Sequence, residues 1–134
     1  MRTIKPRITT QLRKLKRRDK DIEEYKSQIT ELTDISQGLV YYSMTIQNQN
    51  ISQIGKQGIR QLLASFKVID EKYSERLENY DLNPSQSLFC ILYHIGKSDE
   101  EVMQILQYSL SNIRVRKSRI KSDTGAESFD DIIR

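Results

Sequence analysis

Between Ile8 and Ile46 the apolar residues of this 134-residue chain recur in two series with a period of seven. Ile8, Leu15, Ile22 and Ile29 form one series; Tyr25, Leu32, Leu39 and Ile46 form the other, offset by three. Alternating steps of three and four keep both series on one stripe of an α-helix, the spacing of a coiled-coil seam, whereas a strand alternates its faces every two residues. The spacing predicts a long amphipathic helix over residues 1–49, with Pro6 at or just before its first turn, where a missing N–H costs nothing. Gln11, Arg18, Ser36 and Ser43 occupy seam positions, so pairing should be tightest from Ile22 to Leu32. A solitary helix packed on its own domain and a dimeric coil both fit the pattern; a homodimer through this helix is the partner expected. Gly38 costs about 1 kcal/mol inside a helix and marks a position where the helix can kink.

No alternating pattern long enough for a sheet appears elsewhere, and the expected fold class is all-α. The polar stretch QNQNISQIGKQG, residues 47–58, breaks the first helix from a second, which should run from about Lys56 to Tyr80. Leu62, Leu63, Phe66, Ile69, Tyr73 and Leu77 give that helix a broad apolar face. Residues 50–81 are thus a connector and second helix. Apolar residues make up only 37% of the sequence, below the usual roughly 45–50%, as a long exposed helix diluting a small core requires. One cysteine excludes a disulfide framework and a multi-cysteine zinc site. No apolar run approaches the about 18 residues of a membrane span, and the first 20 residues lack the apolar centre of a secretory signal. The composition points to a cytoplasmic chain, or to the cytoplasmic portion of a membrane-anchored one.

Three helices with explicit punctuation follow in residues 82–121. Asn83 caps the first, Pro84 opens it and Gln86 stands where a capping-box partner belongs. Leu88, Phe89, Ile91, Leu92 and Ile95 cover most of its surface, so it should be central to the core, and Gly96 supplies a left-handed stop. Ser98 and Glu101 form a second capping box, with the helix it starts ending near Leu106; Ser109 caps a third helix. Two short helices about three residues apart, the second basic, outline a helix-turn-helix. The final segment, 122–134, reads as an acidic tail or a short curtailed helix in which Phe129, Ile132 and Ile133 make an amphipathic turn or two.

The formal charge of +4 conceals segregation. Residues 1–20 carry nine Lys/Arg and one Asp; residues 114–121 carry five basic residues and no acid. An anionic partner would meet those blocks. On the third helix of the motif, Ile113 and Ile120 share one side and must be the core contacts, with Arg116 and Lys117 flanking them. The opposite face holds Val115, Ser118 and Ser122, bordered by Arg114, Lys121 and Arg119. These are suitable parts for a major groove: Arg114 or Arg119 bridging guanine O6 and N7, Ser118 bonding a base edge, Val115 meeting a thymine methyl. Arg116, Lys117 and Lys121 suit phosphates, which position without specifying, and the helix starts at Ser98 and Ser109 offer amides for further phosphates. A solvated basic face is the plain alternative. For the block at 13–20, duplex phosphate, anionic lipid and simple solvation all remain open, with solvation or a juxtamembrane setting favoured.

The stretch from Leu82 to Ile120 resembles, without a gap, the LuxR/GerE-type helix-turn-helix, the output domain of many bacterial regulators. Leu82-Asn83-Pro84 stands for that family's Leu-Thr-Pro, Gly96 for its glycine, and Glu101-Val102 with Ile105-Leu106 for its Glu-Ile-Ala-x-x-Leu helix. Ser109, Ile113, Ser118, Arg119 and Ile120 match its Ser-x-x-x-Val…Arg-Ser-Arg-Ile stretch. The likeness covers about 40 of 134 residues and is closest to versions in Bacteroidetes regulators. It implies the C-terminal portion of a transcriptional regulator that binds double-stranded DNA, with base contacts mainly at Arg114, Val115 and Ser118, and with RNA polymerase or an upstream sensor module as possible partners. Three departures stand out: Gln107 replaces the turn glycine, Ser87 replaces an apolar residue, and the last helix is short and acidic. A σ-factor region-4-like module and a coiled-coil interaction adaptor without DNA binding are the alternatives.

No catalysis, cofactor or small-molecule substrate is expected. Cys90 and His94 lie four apart but have no further Cys or His to complete a metal site, so a buried thiol and a partly exposed imidazole are expected. Asp99, Glu100 and Glu101 suit a helix start rather than acid–base work. Tyr41 and Tyr42 read as packing residues, and neither a phosphate-binding glycine loop nor a nucleophile–base pair is present.

Overall fold

Capping residues set most of the helix boundaries in the computed structural model, which describes the backbone from Ile4 and side chains from Arg17 to Arg134. Pro6, the seam positions Ile8, Gln11 and Leu15, and residues 13–16 of the first basic block therefore lie outside the side chains described. The fold is all-α, with seven helices among the described residues: α1 (Ile4–Ile46), α2 (Gly55–Ile69), α3 (Glu71–Glu78), α4 (Pro84–His94), α5 (Asp99–Leu106), α6 (Leu110–Thr124) and α7 (Phe129–Ile133). No helix among the described residues is long and apolar enough to cross a membrane. The chain divides into two units, Met1–Thr33 and Asp34–Arg134.

In the first unit the described side chains, Arg17 to Thr33, are all exposed. Thr30 and Thr33 donate their hydroxyls back to the carbonyls of Lys26 and Ile29, so these polar residues satisfy themselves on the helix.

The second unit is built around α4. Leu88, Phe89, Cys90, Ile91 and Leu92 are buried in succession, which only a helix covered on all sides permits. It is packed by α2, α5 and α7, while α6 rests on α5 and α7. Each fully buried Leu, Ile or Phe contributes roughly 1.5–3 kcal/mol, and the set includes Leu62, Phe66, Ile105, Ile113, Ile120 and Ile132. The Asn83–Gln86 capping box and Pro84 at the first turn form as the sequence predicts. Gly96, at φ 95°, makes the left-handed stop, and the Lys97 amide returns to the Leu92 carbonyl at 3.0 Å.

α1 runs unbroken through Gly38, which is buried where α1 crosses α2. A Cβ there would fall inside the Gln61 carbonyl and within 2.9 Å of the Ser65 Cβ, so glycine permits the close approach of two helices. The second helix, expected to be continuous, is not. Asp70, at φ −141° and ψ 81°, ends α2 and caps α3, its carboxylate accepting from the Tyr73 amide at 3.1 Å. The break turns Tyr73 and Leu77 into the core and leaves Ile69, predicted on the apolar face, 45% exposed. Ser87 lines a hollow with Leu63, Leu77, Leu82 and Ile91, where a longer apolar side chain would otherwise sit. Tyr42 packs as expected, its ring centroid 6.0 Å from that of Phe66.

The tail divides between two elements. α6 continues to Thr124 and stops at Gly125, with φ 70°. Ser128 then caps α7, which buries Ile132 completely. Five residues are too few for a self-supporting helix. Its C-terminal carbonyls are taken by side chains of α3 and α4: Arg76 donates to Asp131 and Ile132, Tyr73 to Ile132 at 3.0 Å, and His94 Nδ1 lies 2.7 Å from the Ile133 carbonyl.

Candidate nucleic-acid interface

The turn from α5 to α6 is Gln107-Tyr108-Ser109. Gln107 adopts the left-handed conformation, φ 59° and ψ 40°, that a glycine would take without strain. Its side chain offsets part of the cost by donating to the Gln104 carbonyl at 2.7 Å, which serves the end of α5. Ser109 then caps α6, its hydroxyl accepting from the Asn112 amide at 3.2 Å and pairing with that of Ser111.

Ile113 and Ile120 fix the rotation of α6, at 0% and 1% exposure. With those two positions inward, Arg114, Val115, Ser118, Arg119, Lys121 and Ser122 are exposed. Val115 is 52% exposed, an apolar patch within a basic face. Arg114, Val115, Ser118, Arg119 and Ser122 share a shallow depression with Asp123. Asp123 is the one acid there, and it accepts from Gln86 Nε2 at 3.1 Å, which fastens the far end of α6 to the start of α4. Of the eight residues expected to contact DNA, Arg114, Val115, Ser118, Arg119 and Lys121 are therefore brought onto one outward face, Ser109 stands at the start of the helix, and Arg116 and Lys117 are half-buried beside the core.

The two flanking cations are used differently. Arg116 is half-buried, its guanidinium 4.1 Å from the centre of the Tyr108 ring and its Nε donating to Asn112 Oδ1 at 2.9 Å. This pairing braces the turn against the first turns of α6. Lys117, expected to carry its charge outward, instead donates to Asp99 Oδ1 at 2.8 Å and lies over the Tyr93 and Phe129 rings at 4.6 and 5.6 Å. Tyr93 donates to the same carboxylate oxygen at 2.6 Å. The Lys117 and Tyr93 donors hold the Asp99 carboxyl below its ordinary range, and burial pushes the Tyr93 hydroxyl upward. Lys117 thus clamps α6 to α5, α4 and α7, and its charge is compensated.

The helix start at Ser98 likewise departs from expectation. Its capping box is closed by Glu101, and the first turn carries Asp99, Glu100 and Glu101, which repel a phosphate. Glu101 also accepts from Asn48 Nδ2 at 2.9 Å, and Lys97 donates to Asn48 Oδ1 at 2.7 Å and to the Ile46 carbonyl at 3.1 Å. The Ile51 amide donates to the Ile105 carbonyl at 2.9 Å. The last turn of α1 and the loop after it are therefore fastened to both ends of α5. Nothing in the spacing of polar residues signals this network, nor the clasp on α7; both join segments distant in sequence.

Cys90 is fully buried, and desolvation pushes its thiol up to about 12, which makes it unreactive. His94 is turned away from it, toward Asp70 and the end of α7. Among the described residues no three His, Cys, Asp or Glu side chains converge as metal ligands. No protein-family model, curated protein or solved structure matches the chain.

Proposed function

We propose that this chain is a DNA-binding protein of transcription control, with a LuxR/GerE-like helix-turn-helix formed by α5 and α6 and with α6 reading the major groove. The observation that carries this reading is the outward face of α6, where Arg114, Val115, Ser118, Arg119 and Lys121 are all exposed while Ile113 and Ile120 anchor the opposite side. Such a face combines hydrogen-bond donors for base edges, an apolar contact for a thymine methyl and unneutralised charge for phosphates. The likeness of Leu82 to Ile120 to the family's pattern also supports it.

Arg114, Val115, Ser118 and Arg119 are assigned to base edges and Lys121 to the phosphate backbone. Arg116 and Lys117 position α6, with the outer edge of the Arg116 guanidinium available to a phosphate. The Ser109 end of α6 is left as the anion-facing helix start, because its first turn carries no acid. One copy of α6 reads only a few base pairs. A second copy, joined through α1, would supply another α6 about 34 Å away or at a multiple of that, and hence a two-part operator. RNA polymerase or an upstream sensor module would be further partners of such a regulator.

The test is selection of bound sequences from random duplex at two salt concentrations. Enrichment of a common motif is expected, with affinity falling steeply as salt rises. The Arg114→Ala/Arg119→Ala variant should lose the motif, each base contact being worth about 1–3 kcal/mol of discrimination. Absence of enrichment at both salt concentrations sinks the reading in favour of a protein-docking adaptor.

A further inference from the structure

The face of α1 formed by Ile22, Tyr25, Ile29 and Leu32 is between 49% and 63% exposed at every one of those positions, more apolar surface than a charged helix gains by leaving in water. We infer that it is covered by a second copy of this chain, lying parallel and in register. The inference deepens the pairing element of the proposed function and does not depend on what α6 binds.

Three observations select this occupant and this direction. First, from Arg17 to Thr33 the large apolar residues are the seam positions and no others: with Ile22 and Ile29 in the a series and Tyr25 and Leu32 in the d series, the polar residues between them, from Glu23 to Glu31, fall on the remaining faces. Second, the shapes suit a two-stranded parallel coil, with β-branched Ile22 and Ile29 at a and Leu32 at d, Tyr25 being the one aromatic d residue. Third, the charges beside the seam are complementary in that direction. Asp21 stands just before one seam residue, Ile22, and Lys26 just after the other, Tyr25. In a parallel in-register pair, each such flank faces the opposite flank of the second copy five residues on, so Asp21 meets Lys26 twice by symmetry. The sequence repeats the relation at the same spacing, with opposite sign, between Lys14 and Asp19. An antiparallel pair sets like flanks together, and Asp21 then never meets Lys26. Lys26 is not committed elsewhere by more than an exposed contact with Glu23 at 4.0 Å.

In the second unit α1 continues the arrangement with two separate faces. Asp34, Gly38, Tyr41, Tyr42 and Thr45 turn toward the domain, with Asp34 accepting from Gln61 at 3.0 Å, while the seam residues Leu39 and Ile46 remain 43% and 50% exposed.

Self-crosslinking of the full chain tests the direction. In a parallel in-register coil each seam residue faces itself across the axis, within the Cα separation of about 4.4–6.8 Å that a disulfide requires. Ile29→Cys and Leu32→Cys should each give a covalent dimer on mild oxidation. Ser27→Cys, on the outer face, should not, and nor should the unaltered protein, whose Cys90 is buried. Helical circular dichroism matching the unaltered protein confirms that each variant is folded. Sedimentation of the unaltered full chain should give a dimer at tens of micromolar. A dimer in which neither seam cysteine crosslinks overturns the parallel register, and a monomer at that concentration overturns pairing altogether. Either failure would leave duplex selection through α6 to be judged by its own experiment.

Discussion

The rings of Tyr73 and His94 stack, with 3.5 Å between centroids and 2° between their planes, although one belongs to α3 and the other ends α4. Each then reaches the same short element. Tyr73 donates to Ile132, and His94 bonds the Ile133 carbonyl with one ring nitrogen and Asp70 with the other, at 3.1 Å. The ring acts as a strut between the α2–α3 junction and α7. Replacing His94 with Ala removes a stacked ring and its polar contacts at both ends, and should lower unfolding stability by about 2 kcal/mol. Ile132→Ala, which empties the core side of α7, should cost about 2–5 kcal/mol. Because each releases the same element, the double variant should lose less than the sum, as read by urea unfolding. Additive losses would show that α7 is not held as one unit.

At Gly38 the expected sign is opposite to helix propensity. Ala is about 1 kcal/mol better than Gly in an isolated helix interior. Here its methyl would overlap the Gln61 carbonyl and crowd Ser65, forcing α1 away from α2. Overpacking of this kind costs about 1–3 kcal/mol, and the backbone on the far side cannot move as a side chain would. Gly38→Ala should therefore lower the melting temperature of the full chain. A higher melting temperature would mean that the close crossing is absent in solution.

The sequence made the local punctuation legible and left the long-range clasps hidden, for one physical reason. Capping acts within three residues, so Asn83 with Gln86 and Ser98 with Glu101 could be placed from spacing alone. The inward pair Ile113 and Ile120, and hence the outward face of α6, likewise followed from helical periodicity. Periodicity also misled: Ile69 keeps the helical spacing, yet Asp70 breaks the helix after it, because a carboxylate capping Tyr73 competes with helix continuation. The role of Lys117 depends on Asp99, eighteen positions away, and that of His94 on Asp70 and Ile133. Pairings of this kind are created by the fold and have no local signature.

Gln107 provides a prediction at the turn itself. A non-glycine residue in the left-handed region costs roughly 1–2 kcal/mol, and the bond from its side chain to Gln104 returns part of that. Gln107→Gly should raise stability by about 0.5–1 kcal/mol, since it relieves the strain and loses only one exposed bond. Gln107→Val, β-branched and without the bond, should lower it by more than that amount. Chemical unfolding of the two variants beside the unaltered protein gives the order directly. If Gly were the more destabilising of the two, the turn would not be left-handed at this residue.

The carboxylates that fasten the domain set its response to acid. Asp99 is held down first by the Lys117 bond and then by Tyr93, Asp70 first by the Tyr73 amide and then by His94, and Glu101 first by the Ser98 amide and then by Asn48. Each has a folded-state pKa below its unfolded value, which is about 3.9 for Asp and 4.3 for Glu. The folded state therefore binds fewer protons than the unfolded state in this range, and stability falls as pH falls. The contribution is fully present above the unfolded values and is lost progressively below about pH 4, as each folded-state value is crossed. Lys117→Met keeps an apolar stem over Tyr93 and Phe129 but removes the leading cause of the shift at Asp99. It should lower stability at neutral pH and make the decline between pH 5 and pH 2 shallower than in the unaltered protein, about pH 4 being the midpoint of the free carboxyl. Urea midpoints measured across that range test this. Curves that run parallel for the two proteins would mean that Lys117 does not hold Asp99 in the folded state.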